Sequence, residues 1–451
     1  MTTLIILSVL VVGYLMIATE HVNHISRAAI AMFTGVIAWL LYMLRGGTFL
    51  KAVHPDTYYQ YLDGTDSSPG LVKRFIADHI IGGYIGEACS VILFLIATNT
   101  IVEVMSNNGV FDPIVKYLRM KSAKRFLWII TLTTFIFSAN IDNTTTVILM
   151  LSLVGQIVRS RSQLMVYACA IMLAANLGGS TTVIGDMTTL MLWVHVSVTP
   201  STFFLGMIIP ALATLVVFNL LVGKLLYENV ELHSFIHLYD GDDSPLSPAQ
   251  KYALLIIGIA GLWSIPTFHS QTGMPPFIGA LCVLTLIWAI EGLFNMERNG
   301  SVRFVQRKHY RNTEFFGMKI VIYYIGITLG IGALKETGAI DGFSTFMTDH
   351  FDNVYVFGGV LGLLSSVFDN VPLTMFGMHT IGESVPVNDI YWQILSFSCA
   401  IGGSALMIGS MAGHSIMQVE NIRVSWFFRR FTWRVVVASI AGFLIFWLMH
   451  R

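Results

Sequence analysis

Phe126–Val158 reads FLWIITLTTFIFSANIDNTTTVILMLSLVGQIV. As a single helix it would be roughly 50 Å long at 1.5 Å per residue, whereas a bilayer core is about 30 Å thick and takes about 20 residues. The stretch is too long for one ordinary crossing and too short for two. Its middle, SANIDNTTT, places an aspartate and two asparagines at bilayer depth, where lipid exposure is costly. A re-entrant hairpin with a protein-lined tip removes that cost. Lys116, Arg119, Lys121, Lys124 and Arg125 precede the stretch, and Arg159 and Arg161 follow it. The positive-inside rule puts both flanks on the cytoplasmic face, and a hairpin enters and leaves on one side.

The rest of the chain suits that setting. Of 451 residues, 55% are hydrophobic and 12% charged, with mean hydropathy +0.71, against about 25% charged in soluble domains. A soluble globular fold is excluded, and membrane lipid is the expected surrounding. Lys+Arg and Asp+Glu balance at 26 each, and the basic residues sit in short clusters, so no nucleic-acid partner is expected. Cys89, Cys169, Cys282 and Cys399 fall in apolar segments without metal-type spacing and read as core residues. The opening MTTLIILSVLVVGYLMIATE lacks a basic region and a small-residue cleavage site, and reads as a retained helix. Uninterrupted spans are expected at about Leu4–Thr19, Ala28–Leu44, Ile81–Met105, Phe203–Leu226, Tyr252–Phe268, Pro276–Phe294, Met318–Leu334 and Arg434–Met449.

Three further segments are interrupted. Leu164–Trp193 carries AANLGGSTTVIGD, whose glycines, hydroxyls and aspartate break a membrane helix and free its backbone groups. Val354–Thr380 holds SSVFDNVPLT, a second hairpin tip, and Ile390–Met417 holds AIGGSALMIGSMAG, a second broken helix. The second hairpin's flanks, at Asn353 and from Glu383 to Asp389, carry no Lys or Arg, which suggests the outer face. Gly109–Asp112 against Gly338–Asp341 is offset by 229, Asp142-Asn143 against Asp369-Asn370 by 227, and Gly178–Ser180 against Gly402–Ser404 by 224. Such agreement over half a chain marks an internal repeat.

The expected fold is therefore an all-α polytopic membrane protein, an inverted repeat of two five-helix halves. Residues 1–226 form the first half, with a hairpin at about 126–158 and a broken helix at about 164–193. Residues 252–451 form the second, with a hairpin at about 354–380 and a broken helix at about 390–417. A cytoplasmic linker, 227–251, joins them. Basic loops at Arg298–Arg311 and Arg423–Arg434 set the second half inverted, giving ten crossings with both termini outside. Arg45–Asp78, with four basic residues balanced by aspartates, is placed outside.

Inverted-repeat transporters bind substrate where discontinuous helices meet. Here the interruptions carry Asn140, Asp142, Asn143 and Thr144, then Asp369 and Asn370, and on the broken helices Asn176, Ser180, Thr181, Asp186, Ser404 and Ser410. These are hard oxygen or amide ligands, suited to Na⁺ or Li⁺ bound at Asp142 and Asp369. No Lys or Arg is expected near either tip, so an anion finds no cationic clamp. Burial disfavours an ionised carboxylate, which a cation or a proton can neutralise. If both compete for one group and the site moves only when neutral, exchange results. The blander reading makes Asp142, Asp369 and Asp186 helix caps and the hydroxyls packing groups. Glu87 is a possible proton-path residue or an interfacial one; Glu103 and Glu336 read as packing residues, and His79 could sense pH. No enzyme motif of the His-Glu-x-x-His or Gly-x-Ser-x-Gly type stands in a suitable context, and no cofactor is expected.

At FSANIDNTTTVILM, AANLGGSTTVIGDMTTLMLW, SSVFDNVPL and GGSALMIGSMAG the chain resembles the NhaD-type sodium/proton antiporters of the ion-transporter superfamily. EACSVILFLIATNTIVEV extends the likeness over nearly the whole chain. The resemblance implies inverted five-helix repeats, two re-entrant hairpins, an elevator-like mechanism, a bacterial inner membrane, proton-driven Na⁺ or Li⁺ export and a homodimer. Carried over by position, it points to Asp142, Asn143, Asn176, Asp186, Thr188, Thr189, Ser365, Asp369, Asn370 and Ser404, with Glu87; Thr188, Thr189 and Ser365 enter on this basis alone. Two departures are Thr181, where an aromatic is expected nearby, and Met407, where a further hydroxyl is. The expected activity is exchange of cytoplasmic Na⁺ (or Li⁺) for external H⁺, with Asp142 and Asp369 as the competing carboxylates. The alternatives are a sodium-coupled organic-anion symporter and an arsenite permease of the same superfamily.

Overall fold

The computed structural model describes residues 1–111, 118, 120–232, 246–296, 313–350, 353–382 and 385–451. Asp112, Lys116, Arg119, the linker stretch 233–245, the basic loop 298–311 and Glu383 lie outside the described residues. Those described are nearly all helical, with two isolated bridges as the extended pairing among them. Among the described residues seven helices are long and apolar enough to cross a membrane, or eight if Arg27–Met43 and Gly46–Val53, bent by 87°, form one span. The chain is a multi-pass membrane protein. The ten crossings of the sequence reading include two shorter pieces: Thr2–Ala18 has 17 residues, and Ile390–Ala405, with 16, is one part of an interrupted helix.

Each uninterrupted span expected from hydropathy is a helix. One boundary moves. The third begins at Pro69 rather than Ile81 and runs to Asn107 through a π-helical stretch, Ile76–Ile81. Ser68 caps it by accepting from Leu71 N, with Pro69 in the first turn, and Lys73, Arg74 and Asp78 dilute the apolar signal there. The region before it also folds into helices, Gly46–Val53 and Pro55–Leu62.

Phe126–Val158 resolves into two helices, Ala123–Ser138 and Asn143–Ile157. Both of its ends pair with one extended stretch at the start of the linker. Ala123 N donates to Glu228 O (3.1 Å), Val230 N to Lys121 O (2.7 Å) and Arg159 N to Glu231 O (2.8 Å). Three extended residues span only about 10 Å, so the ends lie side by side and the segment doubles back. Buried Gln163 clamps the strap, donating to Asn229 O (2.9 Å) and accepting from Glu231 N (3.0 Å). The sequence reading took this stretch for plain linker.

The second tip lies between Val354–Val367 and Asn370–Ile381. The broken helices are Arg161–Gly179 with Met187–Val194, and Ile390–Ala405 with Met411–Glu420. Equivalent contacts recur in the two halves. A Cβ on Gly178 would fall on the carbonyl of Phe135, and one on Gly402 on the carbonyl of Gly362, so each broken helix touches its hairpin backbone to backbone. Ser138 Oγ donates to Ala175 O (2.6 Å), and Ser365 Oγ to Cys399 O (2.9 Å). These pairs keep the 227 and 224 offsets of the sequence. Around this centre Arg27–Met43 packs along Thr313–Lys335, as Gly82–Asn107 packs along Pro276–Met296.

Candidate functional site

The four interruptions meet. Asp142 precedes Asn143–Ile157 with an extended backbone (φ −43°, ψ 138°), which turns its carboxylate onto the helix N-terminus. Oδ2 accepts from Thr144 N and Thr145 N, both at 3.1 Å, as an acid at the positive end of a helix dipole should. Thr145 Oγ1 in turn donates to Asn99 Oδ1 (3.0 Å). Asn143 Nδ2 donates to Asn176 Oδ1 (3.2 Å), and Asn176 Nδ2 donates to Ser404 Oγ (2.9 Å) and Ser410 Oγ (3.2 Å). Fully buried Asn176 thus ties the first tip to both sides of the second break. Asp186 stands before Met187–Val194 without capping it. Its Oδ2 accepts from Thr188 Oγ1 (2.9 Å) and Asn370 Nδ2 (3.4 Å), joining the first break to the second tip.

Asp369 has different company. Tyr323 OH donates to its Oδ2 (2.9 Å), Arg27 Nη1 lies 3.8 Å from the same oxygen, and the guanidinium sits 5.5 Å from the Tyr323 ring centroid. The expectation that no cationic side chain stands near either tip is therefore corrected. Arg27 is remote in sequence, and the packing of its helix along Thr313–Lys335 brings it there.

Asp142 and Asp186 are both buried, and among the described residues neither forms an ion pair. Among the described residues no three or more His, Cys, Asp or Glu side chains are placed so that they could hold a metal ion together. The site instead offers carboxylate, amide and hydroxyl oxygens, with carbonyls freed where helices break. That is a ligand set for a hard cation, and an ionised acid there calls for a cation or a proton.

The profile of the family described as "Citrate transporter" (CitMHS) matches residues 14–402, a range that takes in both tips and the first break. The chain belongs to the citrate-transporter family. The chain is 25% identical over 98% of its length to "Sodium/proton antiporter 2" of Arabidopsis thaliana, covering 98% of that protein. It is 26% identical to "Na(+)/H(+) antiporter NhaD" of Vibrio parahaemolyticus, over 78% of this chain and 87% of the relative. To the NhaD of Halomonas elongata it is 24% identical, over 94% and 84%. The resemblance read from the tip and break motifs agrees with these relatives, and the chain is a transporter rather than an enzyme.

Of the residues singled out from sequence, Asp186, Thr188 and Asn370 form one hydrogen-bonded group in this citrate-transporter family member, and Asn143, Asn176, Ser404 and Ser410 form a second, which Asp142 reaches through Thr144. Thr144 adjoins the second group through Asn143 Oδ1 (3.2 Å). Others are engaged with backbone: Ser180 Oγ donates to Leu177 O, Thr181 Oγ1 to Gly178 O, Thr189 Oγ1 to Asp186 O, and Ser365 Oγ to Cys399 O. Asn140 faces away, accepting from Trp263 Nε1. Met407, where a hydroxyl was expected, is fully buried core. Glu87 and His79 line a separate cavity of about 570 Å³ with His54, His195, Glu336 and His379. Glu336 is more than a packing residue: Tyr84 OH donates to it (2.8 Å) and His54 Nε2 lies 2.7 Å away. Glu103 lines another cavity, of about 420 Å³, with Asn99, Thr144 and Thr145. Sequence reasoning missed Arg27, Tyr323, Asn99 and Ser138. Ser138 alone had a signal, since the 227 offset makes it the mate of Ser365.

Proposed function

We propose that this chain is a secondary active transporter that exchanges cytoplasmic Na⁺ (or Li⁺) for external H⁺ by elevator-like alternating access. The observation that carries the reading is the pair of buried acids, Asp142 and Asp186, which lack an ion pair among the described residues and sit among amides and hydroxyls where four interruptions meet. A cation entering the site replaces protons on the acids, and protons arriving from the other face replace the cation. Asn143, Asn176, Thr188, Asn370 and Ser404 supply or orient the remaining oxygens. Competition for the same groups couples the two flows without a further device.

The recurrence of the glycine and serine contacts in both halves supports an inverted repeat of two five-helix units, with re-entrant hairpins opening from opposite faces. In this reading the hairpins and broken helices move as one unit against the other helices, through which two copies pair in a bacterial inner membrane. The plant and bacterial relatives, which carry the name of sodium/proton antiporters, support sodium/proton exchange. The family's description makes organic-anion transport the reading to test beside it.

The deciding experiment is cation-dependent collapse of a proton gradient in proteoliposomes, with Na⁺, Li⁺ and K⁺, beside uptake of labelled citrate. Na⁺ should dissipate the gradient, Asp142→Asn should abolish the response, and citrate should not accumulate. Full activity in Asp142→Asn, or sodium-driven citrate uptake, overturns the proposal.

A further inference from the structure

We propose that Arg27 is a resident cation at the second tip: its guanidinium stands where a transported ion would meet Asp369, and the pair latches the hairpin to the surrounding helices. The latch rests on the elevator reading above; the resident-cation assignment rests on geometry alone.

The two repeat-related acids are held in opposite ways. Asp142 spends Oδ2 on the backbone N–H groups of Thr144 and Thr145. Asp369 occupies the same position before its helix but makes no capping hydrogen bond, turning instead to the phenol of Tyr323 and the guanidinium of Arg27. Both partners of the pair are buried, Arg27 at 9% and Asp369 at 5% exposure. Arg27 is the first residue of Arg27–Met43, where a helix dipole repels positive charge, so its placement does not serve the helix that carries it. An opposite charge facing it does account for the position. The face of the Tyr323 ring gives the guanidinium further support.

With that cation in place the second tip is already neutral as a pair, which leaves Asp142 and Asp186 as the acids free to trade ions. The pair is also loose. Its 3.8 Å separation exceeds the roughly 2.7–2.9 Å of a charge-assisted hydrogen bond, and Arg27 Nη1 and Asp369 Oδ1 are both buried without a hydrogen-bond partner. Such a contact holds charge in register yet can part. Arg27 and Tyr323 belong to two helices packed along each other, whereas Asp369 belongs to the hairpin, so any movement of the hairpin past those helices must open the pair.

The test is a charge-neutralisation cycle with Arg27→Gln, Asp369→Asn and the double variant. Na⁺-dependent proton flux is read in proteoliposomes, and thermal midpoints on the purified protein in detergent. Removing one member strands a buried charge or its polar partner, so each single variant should lose about tenfold or more of its flux and melt earlier. The double variant, with no charge at either place, should return to within about threefold of wild type and regain most of the midpoint. Arg27→Lys should keep more flux than Arg27→Gln. A double variant no better than Asp369→Asn in either readout overturns the proposal, because Asp369 would then be needed for its own charge. If the wild type moves no Na⁺ against H⁺, the functional reading fails by itself, and the cycle in thermal midpoints still decides on the pair.

Discussion

Replacing Asp186 with Asn removes a charge while leaving the shape of the site intact. Thr188 Oγ1 and Asn370 Nδ2, which now donate to the carboxylate at 2.9 and 3.4 Å, can donate to an amide oxygen in the same place. The change is therefore electrostatic. A monovalent cation about 4 Å from a carboxylate gains about 4 kcal/mol at an effective dielectric constant of 20, roughly a thousandfold in affinity. The amide dipole returns part of that, so the apparent KM for Na⁺ should rise about 100- to 1000-fold. A second consequence follows from competition. Protons must leave both acids before a cation can use them, so KM falls as pH rises, and on the acidic limb log KM changes by up to about two per pH unit for two shared acids. With Asp186→Asn only Asp142 remains, and the slope should fall to about one. Initial rates of Na⁺-induced proton efflux from proteoliposomes, over a grid of Na⁺ concentration and pH, give both quantities. A KM within threefold of wild type, or an unchanged slope, refutes the assignment of Asp186 to the exchange site.

Asn176→Ala should strand the Asn143 amide, leave the Ser404 hydroxyl without its donor and take one of two donors from Ser410; at about 1–3 kcal/mol for a buried polar group left unsatisfied, the thermal midpoint should drop and Na⁺ should no longer raise it. Gly402→Ala places a methyl on the Gly362 carbonyl and should cost about 1–3 kcal/mol, with Gly178→Ala matching it. Gly359→Ala, whose Cβ would meet open space, serves as the neutral control in the same melts. Gln163→Leu removes both clamps on the strap and should speed hydrogen exchange at Ala123, Arg159 and Val230 while leaving the amides of Asn143–Ile157 protected.

Much of this protein can be read from its sequence because polar residues inside long apolar runs are expensive. SANIDNTTT, LGGSTTVIGD, SVFDNVPL and GGSALMIGS have no inexpensive place in lipid, so their positions alone locate the breaks, and their common offsets pair the interruptions before any contact is known. The same cost explains why Asn143 pairs with Asn176 and Asn370 with Asp186, since each needs a partner out of water's reach. Hydropathy gave no such guidance where charge and apolar residues mix, and it placed the start of the third span at Ile81 rather than Pro69.

What only the tertiary structure decided is which partner each buried group takes. Sequence separation hid Arg27 from Asp369, Tyr323 from the same carboxylate and Gln163 from the strap at Glu228–Leu232, because these contacts join elements brought together by packing. Local spacing also treats Asp142 and Asp369 as equals by repeat. The fold makes them unequal: one carboxylate is met by backbone N–H groups of its own helix, the other by a phenol and a guanidinium from different helices. A carboxylate's chemistry is set by the charges and donors within a few ångströms of it, and that neighbourhood exists only once the chain is folded.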